Sequence, residues 1–343
     1  MSLSIHEVAA SAVQAESRIK SHIYTTPLLP ARVAGRDNNA QILFKAENFQ
    51  LTGSFKLRGA TSKISASQSQ STSDSSSSTT TTTTTTKKLI TASSGNHGIG
   101  AAHAAHALNR SLTVVLPETV FPAKLAKIKS YGATVILHGA ETGLAEQHAQ
   151  QLAASGEYTY ISPYNDPLVV AGQGTIALEI LEQCAAQGIQ HLDNIFISMG
   201  GGGLISGIGS VLKSFAPNVR IFGVSATNSQ ALAESILAGK VVETAHLPTL
   251  AEAVAGGMDE DSITLPLARE VVDRVVECGE EEIADAMRRI AVEENMIVEG
   301  AAALALAGFE KVKGEVGGQT SVVLLCGGNV DRGVVKEVIY GLE

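Results

Sequence analysis

Lys56 is the residue of this sequence whose surroundings fit an ordinary surface lysine least well. It lies in SFKLRGA (54–60), directly after Phe55 and just after the small residues Gly53 and Ser54. One interpretation is a helix start whose lysine reaches water along its apolar stem. The other is an amine held away from water, where the neutral form is favoured and Schiff-base chemistry becomes accessible. The stretch alone leaves both interpretations open.

A second stretch is suited to binding an anion. In ISMGGGGLISGIG (197–209) an expected strand ends at four glycines (200–203) and a helix begins at Leu204. Backbone N–H groups at such a strand-to-helix turn point at an anion, and a phosphate is the natural guest. The spacing fits neither GxGxxG nor GK[ST], and the strand RIFGVS ends in Ser225 rather than an acid. We therefore expect a phosphate that does not belong to NAD or ATP.

Two further strand ends carry polar or sulfur side chains. TASSGNHG (91–98) also joins a strand to a helix, so its N–H groups suit a substrate carboxylate. Asn96 within it can donate and accept at once, which suits a phenolic oxygen with a shared proton. In LLCGGNVD (324–331), Cys326 ends an apolar strand, where a buried thiol is usually inert.

These segments lie on an alternation of strands and helices. Strands are expected at 89–92, 113–116, 134–139, 159–164, 194–198, 220–225 and 321–326, with helices at 99–108, 144–154, 171–187, 204–215 and near 331–340. Strands that alternate with helices form parallel sheets covered by helices on their faces. The sequence therefore predicts an α/β fold, preceded by an N-terminal helix with a Ser4–Glu7 capping box.

The composition and charge of the chain argue against some classes of partner and location. The chain has 343 residues, 44% of them hydrophobic, and a net charge of −9, so neither nucleic acid nor an anionic membrane is an expected partner. The longest apolar runs are strand-sized, which predicts no membrane span. Three widely spaced cysteines fit neither a disulfide framework nor a zinc site, and indicate a reducing compartment, the cytoplasm. Residues 65–86, almost all Ser, Thr and Gln, are predicted to be a low-complexity surface loop.

In chain order, SFKLRGA, SSGNHG, GGGGL and a strand-end cysteine before Gly-Gly-Asn resemble the fold-type II pyridoxal-phosphate enzymes. Within them the match is to the threonine/serine dehydratase and serine racemase branch. The resemblance implies a tryptophan synthase β-like fold of two parallel-sheet, three-layer α/β domains. It also implies a large domain of 1–55 plus 156–343, an inserted small domain of 56–155, a homodimer, pyridoxal 5'-phosphate as cofactor and an amino acid as substrate.

The same resemblance implies roles for individual residues. The implied cofactor-binding residues are Lys56 as the Schiff-base lysine, Phe55 against the ring, Asn96 at the ring hydroxyl, Gly200, Gly201, Gly202, Gly203 and Leu204 at the phosphate, Glu299 near the ring and Cys326 at the pyridine nitrogen. The implied substrate-binding residues are Ser93, Ser94, His97 and Gly256. Lys56, which would move the Cα proton, and Ser94 are the implied catalytic residues.

The function that this resemblance favours is an L-threonine/L-serine ammonia-lyase. A neutral thiol opposite the pyridine nitrogen suits elimination of a β-hydroxyl, which yields a 2-oxo acid and ammonia. The alternatives are a serine racemase, whose second base Ser94 matches, and a dehydratase for another β-hydroxy amino acid of the hydroxyectoine-degradation type. Relatives with a Mg or Ca site carry acids where this chain has Ser225 and Ala231, so no such metal is expected.

Overall fold

The computed structural model describes residues 3–73 and 87–342. The strands of these residues lie in two sheets and are, in chain order, β1 Leu28–Pro30, β2 Gln41–Ala46, β3 Lys88–Ala92, β4 Leu112–Leu116, β5 Thr134–Leu137, β6 Tyr158–Tyr160, β7 Asn194–Ser198, β8 Arg220–Ala226, β9 Arg274–Cys278 and β10 Thr320–Leu325. The six-stranded sheet has the order β1-β2-β10-β7-β8-β9, and the four-stranded sheet has the order β5-β4-β3-β6. Every pairing is parallel except that of β1 with β2.

Helices cover both sheets. They are α1 Ile5–Ile19, α2 Lys56–Ser73, α3 Asn96–Ala107, α4 Pro122–Ser130, α5 Thr142–Ala154, α6 Pro167–Ala186, α7 Gly203–Phe215, α8 Ala231–Ala238, α9 Thr264–Val271, α10 Glu280–Glu293 and α11 Gly300–Val312. A short α-helix, Arg332–Val334, and a π-helix, Val335–Ile339, follow the last strand. The predicted α/β class is confirmed, and so is the capping box of α1, where Ser4 Oγ accepts the N–H of Glu7. None of the described helices combines the length and apolar character that crossing a bilayer requires.

The strand pairing in the four-stranded sheet favours a later end of the small domain than the predicted residue 155. The predicted division at 155/156 leaves β6 in the large domain, but β6 pairs in parallel with β3 of the four-stranded sheet. The strand is also shorter than the predicted 159–164, because the chain turns at Ser162, whose Oγ accepts the N–H of Asn165. We therefore place the end of the small domain after Tyr160, and the division itself stays a proposal.

Helix α2 extends further into the Ser/Thr tract than the sequence analysis predicted. The tract 65–86 is predicted to be a loop, yet α2 continues through its first part to Ser73. Two serine hydroxyls in this helix donate back to carbonyls one turn earlier, Ser65 to Ser62 and Ser67 to Ile64, so these two side chains are satisfied without leaving the helix. The rest of the tract, 74–86, lies outside the described residues.

The first turn of α2 packs between helices α3 and α6. A Cβ at Gly100 of α3 would lie 3.0 Å from the backbone nitrogen of Leu57, and one at Gly172 of α6 would lie 2.7 Å from the carbonyl oxygen of Arg58. A side chain at either position would push against the α2 backbone, since a contact of 2.7 Å is essentially never found for a Cβ and one of 3.0 Å is tighter than nine in ten. These two glycines fix the place of the helix that begins with Lys56.

Candidate active site

Lys56 is placed by a set of bonds between the start of α2 and the end of β10. Gly53 adopts φ +78, a left-handed turn that glycine tolerates, and its carbonyl accepts the N–H of Gly328. The N–H of Phe55 donates to the carbonyl of Cys326 at 3.1 Å. Since β10 is a central strand of the large sheet, these bonds bring Lys56 and the Cys326 thiol to the same edge of that sheet.

The amine of Lys56 is the predicted nucleophile of this site. Its Nζ donates to the carbonyl oxygen of Pro163 at 2.8 Å and lies 5.2 Å from the centre of the Phe55 ring. Burial lowers the pKa of this amine to about 8 from an ordinary value of 10.5, although the carboxylates of Glu299 and Glu146 act to raise it. At pH 7 roughly a tenth of such an amine is unprotonated and able to attack a carbonyl, far more than for a lysine with the ordinary pKa.

A glycine-lined cleft opens beside Lys56. Gly202 adopts φ +87, and a Cβ at Gly201 would lie 2.7 Å from the ring of Tyr164, so the loop between β7 and α7 has no room for side chains. The first N–H groups of α7 have no carbonyl partner within their own helix, and the positive end of the helix dipole adds to them. This is the geometry of an anion site, and the cleft is lined by Phe55, Lys56, Tyr164, Ser198, Gly200, Gly201, Gly202, Gly203, Leu204, Ala253, Val254, Ala301 and Cys326.

Two further features of the cleft suit a phosphorylated pyridine. Ser198 Oγ is buried and has no hydrogen-bond partner within the protein, so the cleft contains an unsatisfied polar atom beside the glycine loop. Burial raises the pKa of the Cys326 thiol well above its ordinary value of 9.0, so this group stays neutral. An anion site at the helix N-terminus, an apolar wall at Phe55 and a neutral partner at Cys326 together suit the polarity of pyridoxal phosphate.

Asn96 and Glu299 form a hydrogen-bonded pair next to this cleft. Asn96 Nδ2 donates to both carboxylate oxygens of Glu299, at 2.8 and 3.0 Å, and Asn96 Oδ1 accepts from Asn329 Nδ2 at 2.8 Å. Burial raises the pKa of Glu299, while the bond from Asn96 acts to lower it. Asn329 was not singled out from the sequence as a site residue, although the GGN of LLCGGNVD is the signal that could have indicated it.

The turn between β3 and α3 carries the residues expected at the substrate carboxylate. Ser93 and Ser94 are half-buried there, and Ser93 Oγ accepts the N–H of Gly95 at 3.2 Å. Gly256 lies in an exposed loop with φ +134, and its N–H donates to Ser229 Oγ. The substrate-binding roles of these residues stay predictions.

His97 is buried behind this turn. Its Nε2 lies 2.9 Å from the carbonyl oxygen of Ile161 and 3.0 Å from Thr91 Oγ1. Because a carbonyl only accepts, Nε2 carries the proton in this tautomer. Burial, followed by the positive charge of Lys56, lowers the pKa of His97 to about 3. The ring is therefore neutral at physiological pH and supports the turn through the backbone of Ile161, while its predicted contact with substrate stays a prediction.

Comparison with known proteins decides the family. Residues 19–327 match the family described as "Pyridoxal-phosphate dependent enzyme". The chain belongs to this family. It is 35% identical over 331 residues to the L-threo-3-hydroxyaspartate ammonia-lyase of Saccharomyces cerevisiae, covering 96% of both chains. It is 36% identical to the L-threonine dehydratase catabolic TdcB of Staphylococcus aureus, covering 96% of this chain and 91% of that one.

Solved structures agree with the family assignment. Superposition on the structure of maize serine racemase gives a TM-score of 0.83 at 28% identity, covering 97% of both chains. The predicted fold-type II architecture, the branch of dehydratases and serine racemases and the dependence on pyridoxal phosphate are thereby confirmed. The family assignment does not test the roles of single residues, so the individual site roles remain proposals.

Proposed function

We propose that this pyridoxal-phosphate dependent enzyme is an ammonia-lyase of L-threonine and L-serine, which removes the β-hydroxyl and yields a 2-oxo acid and ammonia. The observation that carries the proposal is the pairing, in one glycine-lined cleft, of the Lys56 amine with the neutral Cys326 thiol. The similarity to dehydratases and ammonia-lyases over nearly the whole chain supports it.

Some residues of this chain bind the cofactor, and Lys56 transfers a proton. When bound, the cofactor supplies an electron sink for the pair left behind by the Cα proton. Gly200 to Gly203 would bind its phosphate through backbone N–H groups, and Phe55 would pack against its ring. Lys56 accepts the Cα proton, for which an amine with a pKa of about 8 is well matched near neutral pH.

Cys326 sets the type of reaction. It keeps its proton in this buried place, so it does not supply the negative charge that would hold a facing pyridine nitrogen protonated. A neutral partner favours reactions in which the β-substituent leaves as the Cα proton departs. Ser93 and Ser94, at the N-terminus of α3, hold the substrate carboxylate through the N–H groups of that turn.

Serine racemisation is the second candidate, and a specific residue favours it. Ser94 is a half-buried hydroxyl in the substrate turn, and the maize serine racemase shares the architecture. A hydroxyl on the face opposite Lys56 can return a proton to Cα and so invert the substrate. The two activities differ in the fate of the same substrate, so one assay separates them.

The test is a steady-state panel on the holoenzyme. L-threonine, L-serine and their D-isomers are offered, 2-oxo acid is measured continuously, and the residual substrate is analysed on a chiral column. We expect 2-oxobutyrate and pyruvate to form faster than any D-isomer, and Lys56→Ala to abolish both. D-serine forming faster than pyruvate would assign the racemase instead.

The expected homodimer and cytoplasmic location stay predictions. Light scattering behind a sizing column tests the first, and cell fractionation in the source organism tests the second.

A further inference from the structure

The segment after β10, 327–329, packs against two other parts of the candidate site. The N–H of Gly328 donates to the carbonyl of Gly53 at 2.8 Å, in the turn that precedes α2. A Cβ at Gly327 would lie 2.5 Å from Glu299 Oε1, so a glycine there leaves room for that carboxylate. The last residue of the segment is therefore held between this turn and the start of α11.

That last residue, Asn329, has a single amide orientation that suits its neighbours. Its Nδ2 donates to the carbonyl of Thr52 at 2.9 Å, and a carbonyl oxygen can only accept. Its Oδ1 lies 3.5 Å from Lys127 Nζ, an ammonium group that can only donate. Turning the amide over would set two acceptors against each other at Thr52 and two donors against each other at Lys127. The orientation of Asn329 is thus fixed from two sides.

The orientation of Asn329 in turn fixes that of Asn96. Asn329 Nδ2 also donates to Asn96 Oδ1 at 2.8 Å, so Asn96 must place its oxygen on that side and its nitrogen on the other. On the other side Asn96 Nδ2 donates to both carboxylate oxygens of Glu299, at 2.8 and 3.0 Å. Because this polarity is set by Asn329, it holds whether or not Glu299 carries a proton.

These bonds form a row in which every donor points in the same direction. The row starts at the Lys127 ammonium, passes through the amides of Asn329 and Asn96, and ends at the carboxylate of Glu299. Hydrogen bonds arranged head to tail in this way polarise one another, so each amide nitrogen becomes a better donor. The row also connects α3 and α4, which cover the small sheet, with the start of α11 on the large sheet.

The row lies directly beside the reacting part of the cleft. Asn96 is the first residue of α3, and a Cβ at Gly100, one turn later, would lie 3.2 Å from the carbonyl carbon of Lys56. The helix that begins with Asn96 therefore packs on the backbone of the lysine itself. At the other end of the row, Glu299 immediately precedes α11, whose residue Ala301 lines the cleft.

We propose that Asn329 is a positioning residue for the cofactor, which holds the Asn96 amide so that Nδ2 is the donor offered to the ring hydroxyl. The inference rests on the expected contact of Asn96 with that hydroxyl, and it holds for a lyase and for a racemase alike. A donor stabilises the ring oxygen when that oxygen has lost its proton, whereas a reversed amide would present an oxygen that repels it. Asn329 acts through Asn96 and needs no contact of its own with the cofactor.

The test replaces Asn329 and measures the affinity of the enzyme for pyridoxal phosphate by equilibrium dialysis of the holoenzyme. Asn329→Asp keeps the shape of the side chain but places an acceptor opposite the Thr52 carbonyl and Asn96 Oδ1. We expect the affinity to fall by roughly 10–100-fold, the range for one hydrogen bond to a charged group. Asn329→Ala should lower the affinity less, because Asn96 keeps its bonds to Glu299 and loses only the group that fixes its orientation.

A double variant separates positioning from a general structural effect. If Asn329 acts through Asn96, then adding Asn329→Ala to Asn96→Ala should weaken binding by no more than about twofold beyond Asn96→Ala alone. The absorbance of the bound cofactor gives a second readout, since the ratio of its bands depends on whether the ring oxygen carries a proton. Asn329→Asp and Asn96→Ala should change this ratio in the same direction.

Asn194→Asp is the matched control. Asn194 Nδ2 also donates two hydrogen bonds, to Gln319 Oε1 at 2.9 Å and to Ser321 Oγ at 3.0 Å. It is the first residue of β7, at the end of the strand away from the glycine loop. This variant therefore loses a comparable pair of bonds far from the cleft, and its cofactor affinity should stay within about twofold of that of the unmodified enzyme.

Each outcome decides one of the two claims. An Asn329→Asp enzyme that retains the cofactor as well as Asn194→Asp does, or losses that multiply in the double variant, would overturn the inference about Asn329. Because these measurements involve no turnover, a failure to deaminate any β-hydroxy amino acid would overturn the proposed function and leave this inference intact. If circular dichroism shows that Asn329→Asp does not fold, Asn329→Ala and the double variant still decide the inference.

Discussion

Arg58 carries the charge whose removal should damage this protein most. It follows Lys56 by two residues on α2, and its side chain is fully buried. Its guanidinium donates to both oxygens of Glu47, at 2.9 and 2.8 Å, and to both oxygens of Glu179, at 2.7 and 2.9 Å. Lys45 Nζ bonds Glu179 at 2.6 Å, so two buried cations face two buried carboxylates.

Arg58→Met keeps much of the volume but removes one of the two cations. Burial alone would lower the pKa of Arg58, but the two carboxylates more than offset it, so the ion pairs are strong in this place. Without Arg58, the Glu47 carboxylate is left buried with no cation bonded to it. Breaking a buried ion pair in this way costs about 3–5 kcal/mol. At about 2 °C per kcal/mol for a chain of this size, the melting temperature should fall by roughly 6–10 °C.

The assay is the thermal unfolding midpoint of the holoenzyme, followed by circular dichroism. Arg274→Met is the matched control, since Arg274 pairs with Glu315 at a site where the side chains are 44% and 50% exposed, and such pairs contribute at most about 1 kcal/mol. Adding Glu47→Gln to Arg58→Met should recover part of the loss, because it removes the unpaired charge. A melting temperature for Arg58→Met within about 2 °C of the control would refute this reasoning.

Three further predictions concern the site. Ser94→Ala should keep most L-threonine deamination and lower any D-serine formation by about 10²–10⁴-fold, measured by chiral chromatography; equal losses in both would contradict its assigned role. The pKa of His97, about 3 against an ordinary 6.5, means that the folded state binds fewer protons than the unfolded state between these values, so stability falls as pH is lowered through that window. His97→Gln should therefore lose less melting temperature between pH 6.5 and 4 than the unmodified protein, and equal slopes would count against the assignment. Exhaustive chelation should leave kcat/KM within about twofold because Ser225 and Ala231 offer no carboxylate oxygen, and a saturable restoration by Mg²⁺ would show otherwise.

The parts of the site that follow strand ends could be predicted from the sequence. The glycine loop and Cys326 each follow the end of a strand, and parallel strands bring such ends to one edge, whereas Lys56 begins helix α2. Periodicity and glycine content are local signals, so they can be recognised in the sequence without knowledge of the tertiary structure. The cleft and the family both agree with this part of the prediction.

Contacts between distant segments could not be predicted in this way. The Arg58 network depends on α6 packing against α2, and the Asp259–Asn165 bond joins loops that no spacing rule relates. The sheet to which β6 belongs could not be predicted, because only its pairing with β3 shows which sheet it extends. The continuation of α2 into the Ser/Thr tract was missed because composition does not report serine hydroxyls that bond back within the helix.

The attachment of the cofactor to Lys56 is tested most directly by borohydride reduction of the holoenzyme followed by peptide mapping. The reduced protein should carry one pyridoxyl group, on the peptide that contains Lys56. Lys56→Ala should show no covalent label and no absorbance from a lysine-linked cofactor, whereas Lys63→Ala, seven residues further along α2, should be labelled as the unmodified protein is. A pyridoxyl group on any other lysine, or a fully labelled Lys56→Ala protein, would contradict the assignment of this site.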